Sequence, residues 1–297
     1  MTETAMTAGR GVSVEKGVSQ TREALGRLVR NPAAMFGIAV MILLFLACFL
    51  GPVVFGLDPE ESDFDAISLP PSFANGHWFG TDDLGRDLLA RTLTGGRVSL
   101  LLGITATLVA LGIGVVYGAI AGYAGGLVDS LMMRFVDVFY ALPFIFFVIM
   151  LTFLFGRSLL SLLIAIGAVY WLTIAVIVRG ETLSLKRKEF IEAAKAGGMG
   201  TLAIIFRHIV PNTTAPVIVY ASMTVSDVIL GESLLSFLGL GVQEPNTSWG
   251  VLIENGAATM ESQWWPLIFP AVFLAATLFA LNYIADGLRD AFDPKSR

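Results

Sequence analysis

The sequence has little charge. Asp, Glu, Lys and Arg make up 14% of its 297 residues, whereas hydrophobic residues make up 55%. Soluble domains carry about 25% charged residues, so this composition excludes an ordinary soluble protein. The mean hydropathy is +0.75. Together these values indicate an integral membrane protein.

Cysteine and histidine are nearly absent. The single cysteine, Cys48, lies in an apolar run, so the chain cannot form an internal disulfide. The two histidines, His77 and His208, fall on opposite sides of the membrane in the topology described below. We therefore expect no metal site built by this chain.

Motifs for nucleotide binding and catalysis are also missing. The chain has no G-x-x-x-x-G-K-[ST] loop for nucleotide phosphates, no H-E-x-x-H zinc motif and no G-x-S-x-G nucleophile elbow. We expect no catalytic residue, no ATPase site, no bound cofactor and no nucleic-acid partner. A membrane enzyme is the least favoured class, because no serine and histidine can be placed at one membrane depth.

Six apolar segments are long enough to cross the hydrocarbon core, which takes about 20 helical residues. They lie at 33–55, 98–122, 132–155, 159–179, 213–239 and 266–286. The sequence therefore predicts an all-α protein with six transmembrane helices. An even number of spans places both termini on the same side of the membrane.

The basic residues are distributed unevenly between the two sides. Of the 19 Lys and Arg residues, all fall on the side of the termini except Arg86, Arg91, Arg97 and Arg157. By the positive-inside rule, the side rich in Lys and Arg is cytoplasmic. Both termini are therefore predicted to be cytoplasmic.

The spans divide the chain into five parts. Residues 1–32 are expected to form a cytoplasmic tail that ends in an interfacial helix, and 33–55 the first transmembrane helix. Residues 56–97, here called the acidic loop, follow on the external side. Residues 98–290 form a core of five transmembrane helices, and 291–297 a cytoplasmic tail.

An amphipathic helix along the outer membrane surface is predicted in the second half of the acidic loop, at HWFGTDDLGRDLLARTLTGGRVSL. Asp82 or Asp83 is expected to cap its start. Gly95 and Gly96 are expected to end it before the second span. Its apolar stripe consists of Leu84, Leu88, Leu89 and Leu93.

The second span carries a stripe of small residues. Gly114, Gly118 and Gly122 are four residues apart and share one helix face. Small residues at this spacing let two helices approach closely in lipid. We therefore expect this face to pack against another span.

The fifth span is the most polar. Ionisable residues within a span are costly and indicate a function by default. The candidates for a translocation path on this span are Ser222, Ser226, Asp227, Glu232 and Ser233. Asp227 and Glu232 point in different directions on an ideal helix, so both face one path only if Gly231 breaks the helix. A structural hydrogen bond is the alternative role for Glu232.

A long loop at 180–212, here called the EAA loop, joins the fourth and fifth spans. Its segment 189–212 reads EFIEAAKAGGMGTLAIIFRHIVPN. A first helix over 186–196 is expected to end at Gly197 and Gly198, because a left-handed C-cap favours glycine.

A second short helix is expected to be capped by Thr201 and stopped by Pro211. In the first helix, Ala193 and Ala194 would keep one flank flat, which suits a groove on a partner protein. A solvated loop helix with no partner is the alternative.

These motifs resemble those of permease subunits of binding-protein-dependent ABC importers. Glu192-Ala193-Ala194, then Gly198 and then Val210-Pro211 resemble the EAA motif, although His208 and Val210 stand where the general pattern has Ile and Leu. Other segments resemble the C-type subunit of dipeptide and oligopeptide permeases. These are the segment before the second span, the segments LSFLGLG and SWG after Glu232, and DGLRD with DP near the C-terminus. The resemblance covers about residues 25–295.

The resemblance implies a type I ABC importer permease in the bacterial plasma membrane that moves peptides into the cell. It implies a homologous second permease subunit, two cytoplasmic ATPase subunits that bind ATP and Mg²⁺, and an external solute-binding protein. The residues expected to couple this chain to the ATPases are Glu192, Ala193, Ala194, Gly198 and Pro211. Nickel, haem or another solute is the alternative cargo. A stand-alone ion-coupled carrier with Asp227 or Glu232 as its proton site is a further alternative.

Overall fold

A computed structural model describes residues 20–292, and most of these residues are helical. Among these residues, five helices are long and apolar enough to cross a membrane, and one bent pair of helices makes a sixth span if the pair is counted as one. The helices are α1 Gln20–Arg30, α2 Pro32–Val54, α3 Leu88–Ala124, α4 Gly126–Tyr140, α5 Phe144–Phe155, α6 Leu159–Leu185, α7 Glu189–Ala196, α8 Thr201–Ile204, α9 Val210–Asn212, α10 Thr214–Phe237, α11 Trp249–Thr259 and α12 Trp265–Phe292. The predicted all-α membrane fold is confirmed. Most of the predicted N-terminal tail and most of the predicted C-terminal tail lie outside the described residues.

The third predicted span, 132–155, is not one helix. Its residues belong to α4 and α5, which meet at an angle of 88°. Pro143 stands between them and precedes the first residue of α5. Proline donates no backbone hydrogen bond and disfavours a helical conformation in the residue before it, so the helix is interrupted at Leu142.

The prediction for the helix in the acidic loop is wrong at both ends. The helix is the start of α3, and its cap is Asp87, whose side chain accepts a hydrogen bond from the Ala90 backbone N–H. It continues through Gly95 and Gly96 without a break. A Cβ on Gly96 would lie 2.5 Å from the Trp249 ring. These glycines therefore provide room for α11 rather than a helix end.

The stripe of glycines on α3 packs against α6, as predicted. A Cβ on Gly114 would lie 2.7 Å from the Trp171 carbonyl oxygen, and one on Gly122 would lie 2.8 Å from the Arg179 carbonyl oxygen. The middle glycine, Gly118, meets the backbone of Ala175. Because these three glycines have no side chain, the backbones of α3 and α6 approach each other closely.

Helix α3 separates the two loops that carry the polar features of the protein. Its 37 residues span about 55 Å at 1.5 Å per residue. The acidic loop leads into its first turn, whereas Ala119 and Tyr123 near its last turn pack against residues of the EAA loop. The two loops therefore lie at opposite ends of the helix bundle.

Candidate functional site

The first helix of the EAA loop is α7, Glu189–Ala196, which is shorter than the predicted 186–196. Lys186 to Lys188 instead form the turn that follows α6. Glu189 and Glu192 lie in the first turn of α7 and Lys195 lies in its last turn. This order of charges is favourable, because the start of a helix carries partial positive charge and its end partial negative charge.

The end of α7 is a Schellman motif. The Gly198 backbone N–H donates to the Lys195 carbonyl oxygen at 3.0 Å, and that of Met199 donates to the Ala194 carbonyl oxygen at 3.1 Å. Gly198 has φ +77°, in the left-handed region that favours glycine. The predicted left-handed conformation of Gly198 is confirmed. No atom lies within 4 Å of a Cβ built there, so the constraint comes from the backbone alone.

The second half of the EAA loop differs from the prediction at both ends. Gly200, and not Thr201, occupies the N-cap position of α8, and no side chain caps this helix. Pro211 does not stop the helix either. The chain passes through a π-helical turn, Ile205–Ile209, into α9, where Pro211 lies in the first turn. Proline is tolerated there because that position needs no N–H donor.

The underside of the EAA loop is apolar and fixed to the spans. Ile191 of α7 is fully buried, and it belongs to a cluster of buried side chains with Ala119, Ile174, Val178, Ile204, Ile205 and Ile209. Burial of one isoleucine side chain stabilises a fold by about 1.5–3 kcal/mol. The cluster therefore holds α7 against α3 and α6.

The opposite face of α7 is exposed. Glu189, Glu192, Ala193 and Ala196 lie on one side of the helix and are all exposed. Within residues 20–292, neither glutamate carboxylate has a hydrogen-bond or ion-pair partner. Ala194 is half-buried against the isoleucine cluster, so only Ala193 of the predicted pair belongs to this surface. The surface is flat, acidic and anchored from below, which are the properties of a docking helix.

The predicted path residues of α10 do not share one face. The helix runs unbroken through Gly231, so the break considered for that residue does not occur. Ser226, Glu232 and Ser233 are buried. Asp227 is exposed. Ser222 is half-buried, and its hydroxyl donates to the Val219 carbonyl oxygen at 2.7 Å.

Glu232 is the centre of a buried polar network. The Ser236 hydroxyl donates to its carboxylate at 2.6 Å, and the Ser99 hydroxyl donates to it at 3.3 Å. Ser99 in turn accepts the backbone N–H of Trp249 at 3.2 Å. The network joins α10 to α3 and α11. A structural role for Glu232 therefore fits its contacts, although its partners are side chains and not backbone atoms.

Comparison with known proteins agrees with this architecture. Residues 114–297 match the family described as Binding-protein-dependent transport system inner membrane component. The chain belongs to this family. Residues 19–71 also match the N-terminal TM domain of oligopeptide transport permease C. The family resemblance carried by the EAA loop is thus confirmed, and the protein is a multi-pass permease of the bacterial inner membrane.

Curated relatives extend the similarity to nearly the whole permease. It is 50% identical to the oligopeptide transport system permease protein OppC of Haemophilus influenzae, over 95% of this chain and 91% of the relative. The identity to OppC of Escherichia coli K12 is also 50%, over 95% and 93%. The identity to the dipeptide transport system permease protein DppC of Bacillus subtilis is 43%, over 94% and 87%.

The permease also has a charged cluster that sequence reasoning missed. Arg86 of the acidic loop contacts Glu244 at 3.1 Å and Asp82 at 2.7 Å, and buried Arg91 contacts Glu244 at 3.3 Å. Burial raises the pKa of Glu244, but the two arginines outweigh it and lower the pKa overall. Glu244 lies in the segment after α10, more than 150 residues from both arginines. No local pattern reveals such a pairing.

Proposed function

We propose that this permease is the C-type membrane-spanning subunit of an ABC importer for dipeptides or oligopeptides. The observation that carries the proposal is the 43–50% identity to oligopeptide and dipeptide permeases over nearly the whole chain. Nickel, haem and other solutes are less favoured, because the relatives above are named for peptides. A homologous second permease subunit would complete the path, and an external solute-binding protein would deliver the peptide.

The exposed face of α7 is the proposed contact with the ATPase subunits. Its glutamates have no partner within the described part of the chain, and its small residues allow close approach. ATP and Mg²⁺ would be held by the ATPases and not by this chain. In this proposal the EAA loop and both termini would lie in the cytoplasm, in agreement with the positive-inside distribution of Lys and Arg.

The packing under α7 suggests how ATP binding would move the spans. A force applied to Glu192 and Ala193 passes to Ile191, because all three belong to one short helix. Ile191 contacts the cluster shared by α3 and α6, so the ends of these spans would move with α7. Closure of the ATPases would then switch the path between its inward-open and outward-open states.

Reconstitution tests the proposed function. The permease would be assembled with its partner permease and ATPases in proteoliposomes, and the uptake of labelled trialanine delivered by the binding protein would be measured. We expect uptake only with ATP and all subunits. Uptake by this chain alone, driven by an ion gradient, would contradict the proposal and favour an ion-coupled carrier.

Crosslinking tests the contact with the ATPase. Cys48 is buried, so a cysteine introduced in place of Ala193 would be the accessible thiol in the described part of the chain. We expect A193C to crosslink to an ATPase subunit. The matched control is A74C in the acidic loop, which should not crosslink. Equal crosslinking of the two variants would contradict the proposed orientation.

A further inference from the structure

Asp227 is an ionisable residue near the middle of α10 with no described partner. It lies thirteen residues after Thr214 and ten before Phe237, which places it about 20 Å and 15 Å from the two helix ends. Its side chain is exposed on the surface of this chain. Within residues 20–292, no hydrogen-bond donor or basic side chain contacts its carboxylate. The Glu232 carboxylate, by contrast, accepts hydrogen bonds from two hydroxyl groups.

An unpaired carboxylate at this depth is not expected to face lipid. The hydrocarbon core offers neither water nor hydrogen-bond donors, so a bare charge there is costly. The face of α10 that carries Asp227, Leu230 and Leu234 is therefore turned towards a water-filled path or towards another protein. In the importer proposed above, both of these lie on the side of the second permease subunit.

A small cavity adjoins the carboxylate. Its volume is about 270 Å³, and it is lined by Phe144, Tyr170, Asp227, Leu230, Gly231 and Leu234. The Tyr170 hydroxyl donates to the Asp227 backbone carbonyl at 2.8 Å, so its proton is not available to the carboxylate. Phe144 and Tyr170 pack edge to face, with ring centroids 6.0 Å apart.

The side chains that line this cavity favour a cation as its ligand. It offers one negative charge, two aromatic rings that also attract cations, and aliphatic walls. None of its side chains offers a free donor for an anion. Gly231 keeps the cavity open, because a Cβ there would lie 2.8 Å from the Tyr170 hydroxyl.

We propose that Asp227 forms, with Tyr170 and Phe144, a transient binding position for an ammonium group of the cargo peptide. This inference rests on the proposed peptide-import function. Two sources supply an ammonium group: the free N-terminus, which every unmodified peptide carries, and a lysine side chain. The position would bind the peptide as it leaves the binding protein and crosses the membrane.

The first experiment tests whether position 227 is accessible to water. D227C would be made in the assembled importer, where Cys48 is buried and should not react. A membrane-impermeant cationic thiol reagent should label the D227C variant. The matched control is F153C, at a position that is 88% exposed on α5 and does not line the cavity, and it should be labelled less than D227C. Absence of labelling in D227C would overturn the proposal.

The second experiment tests the charge. D227N has nearly the same shape without the charge, whereas D227E keeps the charge. We expect D227N to lower the uptake of trialanine or trilysine about tenfold, since a lost charge-assisted contact has this size. D227E should restore most of the uptake. The control D83N removes an exposed carboxylate of the acidic loop and should leave uptake unchanged.

The outcomes separate the sources of the ammonium group. An equal loss for trialanine and trilysine assigns the N-terminus, and a loss confined to trilysine assigns the side chain. Unchanged uptake of both peptides by D227N would overturn the proposal. A fall in the yield of complex assembled with D227N would also overturn the proposal. It would indicate instead that Asp227 forms an ion pair with the second permease subunit. Failure of the wild-type importer to take up either peptide would instead contradict the proposed function.

Discussion

The two ends of the helix bundle are built differently. At the acidic-loop end, several charged and polar side chains have partners within the chain: Arg86 and Arg91 bind Glu244, and the Trp265 indole N–H donates to the Thr81 carbonyl oxygen at 3.1 Å. At the EAA-loop end, α7 is held by an apolar underside, while Glu189 and Glu192 have no described partner.

The difference fits the proposal that the exposed face of α7 contacts another subunit. Most buried polar groups in proteins are hydrogen-bonded, and the ion pairs of Arg86 and Arg91 with Glu244 already stabilise the acidic-loop end. At the EAA-loop end, Arg179 pairs with Asp129 at 2.6 Å and the underside of α7 is buried, but the face of α7 that carries Glu189 and Glu192 lies in water. We expect substitutions at the first end to change stability, and substitutions at the second end to change coupling while the fold persists.

The largest effect is expected for Trp249→Ala at the acidic-loop end. Trp249 is fully buried, and its indole N–H donates to the Thr92 carbonyl oxygen at 3.0 Å. Loss of a buried tryptophan costs about 3–5 kcal/mol. The thermal unfolding of the purified complex, followed by fluorescence, would report the loss. Trp264→Ala is the matched control because Trp264 is 55% exposed. An equal fall in melting temperature in both variants would contradict the expected role of the buried Trp249.

The next effect is expected for Gly198→Val at the EAA-loop end. A β-branched residue in the left-handed region costs roughly 1–2 kcal/mol, and here it would unwind the last turn of α7. We expect ATP-driven uptake to be lost while the spans remain folded. Gly200→Val is the control, since Gly200 has φ −68° and open space around it. Normal uptake by Gly198→Val would contradict the role of this helix end.

Glu192→Lys sharpens the comparison further, because it changes only the exposed face of α7. We expect peptide-stimulated ATP hydrolysis to fall about tenfold, which corresponds to ~1.4 kcal/mol of lost docking energy. The melting temperature should change little. Glu261→Lys reverses an exposed charge at the other end and should leave hydrolysis intact. Full stimulation in Glu192→Lys would show that this glutamate is only a solvated helix position.

The smallest effect is expected from the protonation of Glu244. Its pKa in the folded state lies below the usual value of 4.5, so the contribution of its charge is present above pH 4.5 and is lost as the pH falls through the folded-state pKa. Its side chain is 53% exposed, and solvent screening limits the contribution to below ~1 kcal/mol. Thermal unfolding at about pH 7 and about pH 3.5, on either side of the usual carboxyl pKa, would show it. Glu244→Gln should be less stable at neutral pH and should lose part of this pH dependence. An unchanged dependence of thermal unfolding on pH in this variant would show that the charge of Glu244 does not contribute to stability.

The helix breaks and caps show which structural features can be predicted from local sequence patterns. The left-handed Gly198 was predictable, because the Schellman motif is set by residues within about six positions of one another. The start of α3 was not, since three aspartates compete for the cap and only the folded loop selects Asp87. The π-helical turn at Ile205–Ile209 has no local signal that distinguishes it from an ordinary amphipathic helix.

The candidate sites follow the same division. Sequence reasoning found the EAA loop and named Asp227 and Glu232 together as path residues. It could not foresee that Glu232 would bind Ser99 and Ser236 inside the bundle while Asp227 remained without a described partner. Both are carboxylates on one span, and contacts from other helices, such as that of Ser99 of α3 with Glu232, contribute to their different surroundings.

By itself, the sequence determined the apolar spans, the small-residue face of α3, the family and the short glycine-terminated helix of the EAA loop. Each of these depends on composition or on residues close together in the chain. Only the tertiary structure decided that Gly95 and Gly96 make room for α11 and that Arg86 and Arg91 bind Glu244. The physical reason is that close packing and ion pairing join residues far apart in sequence, whose distances exist only after the helices have come together.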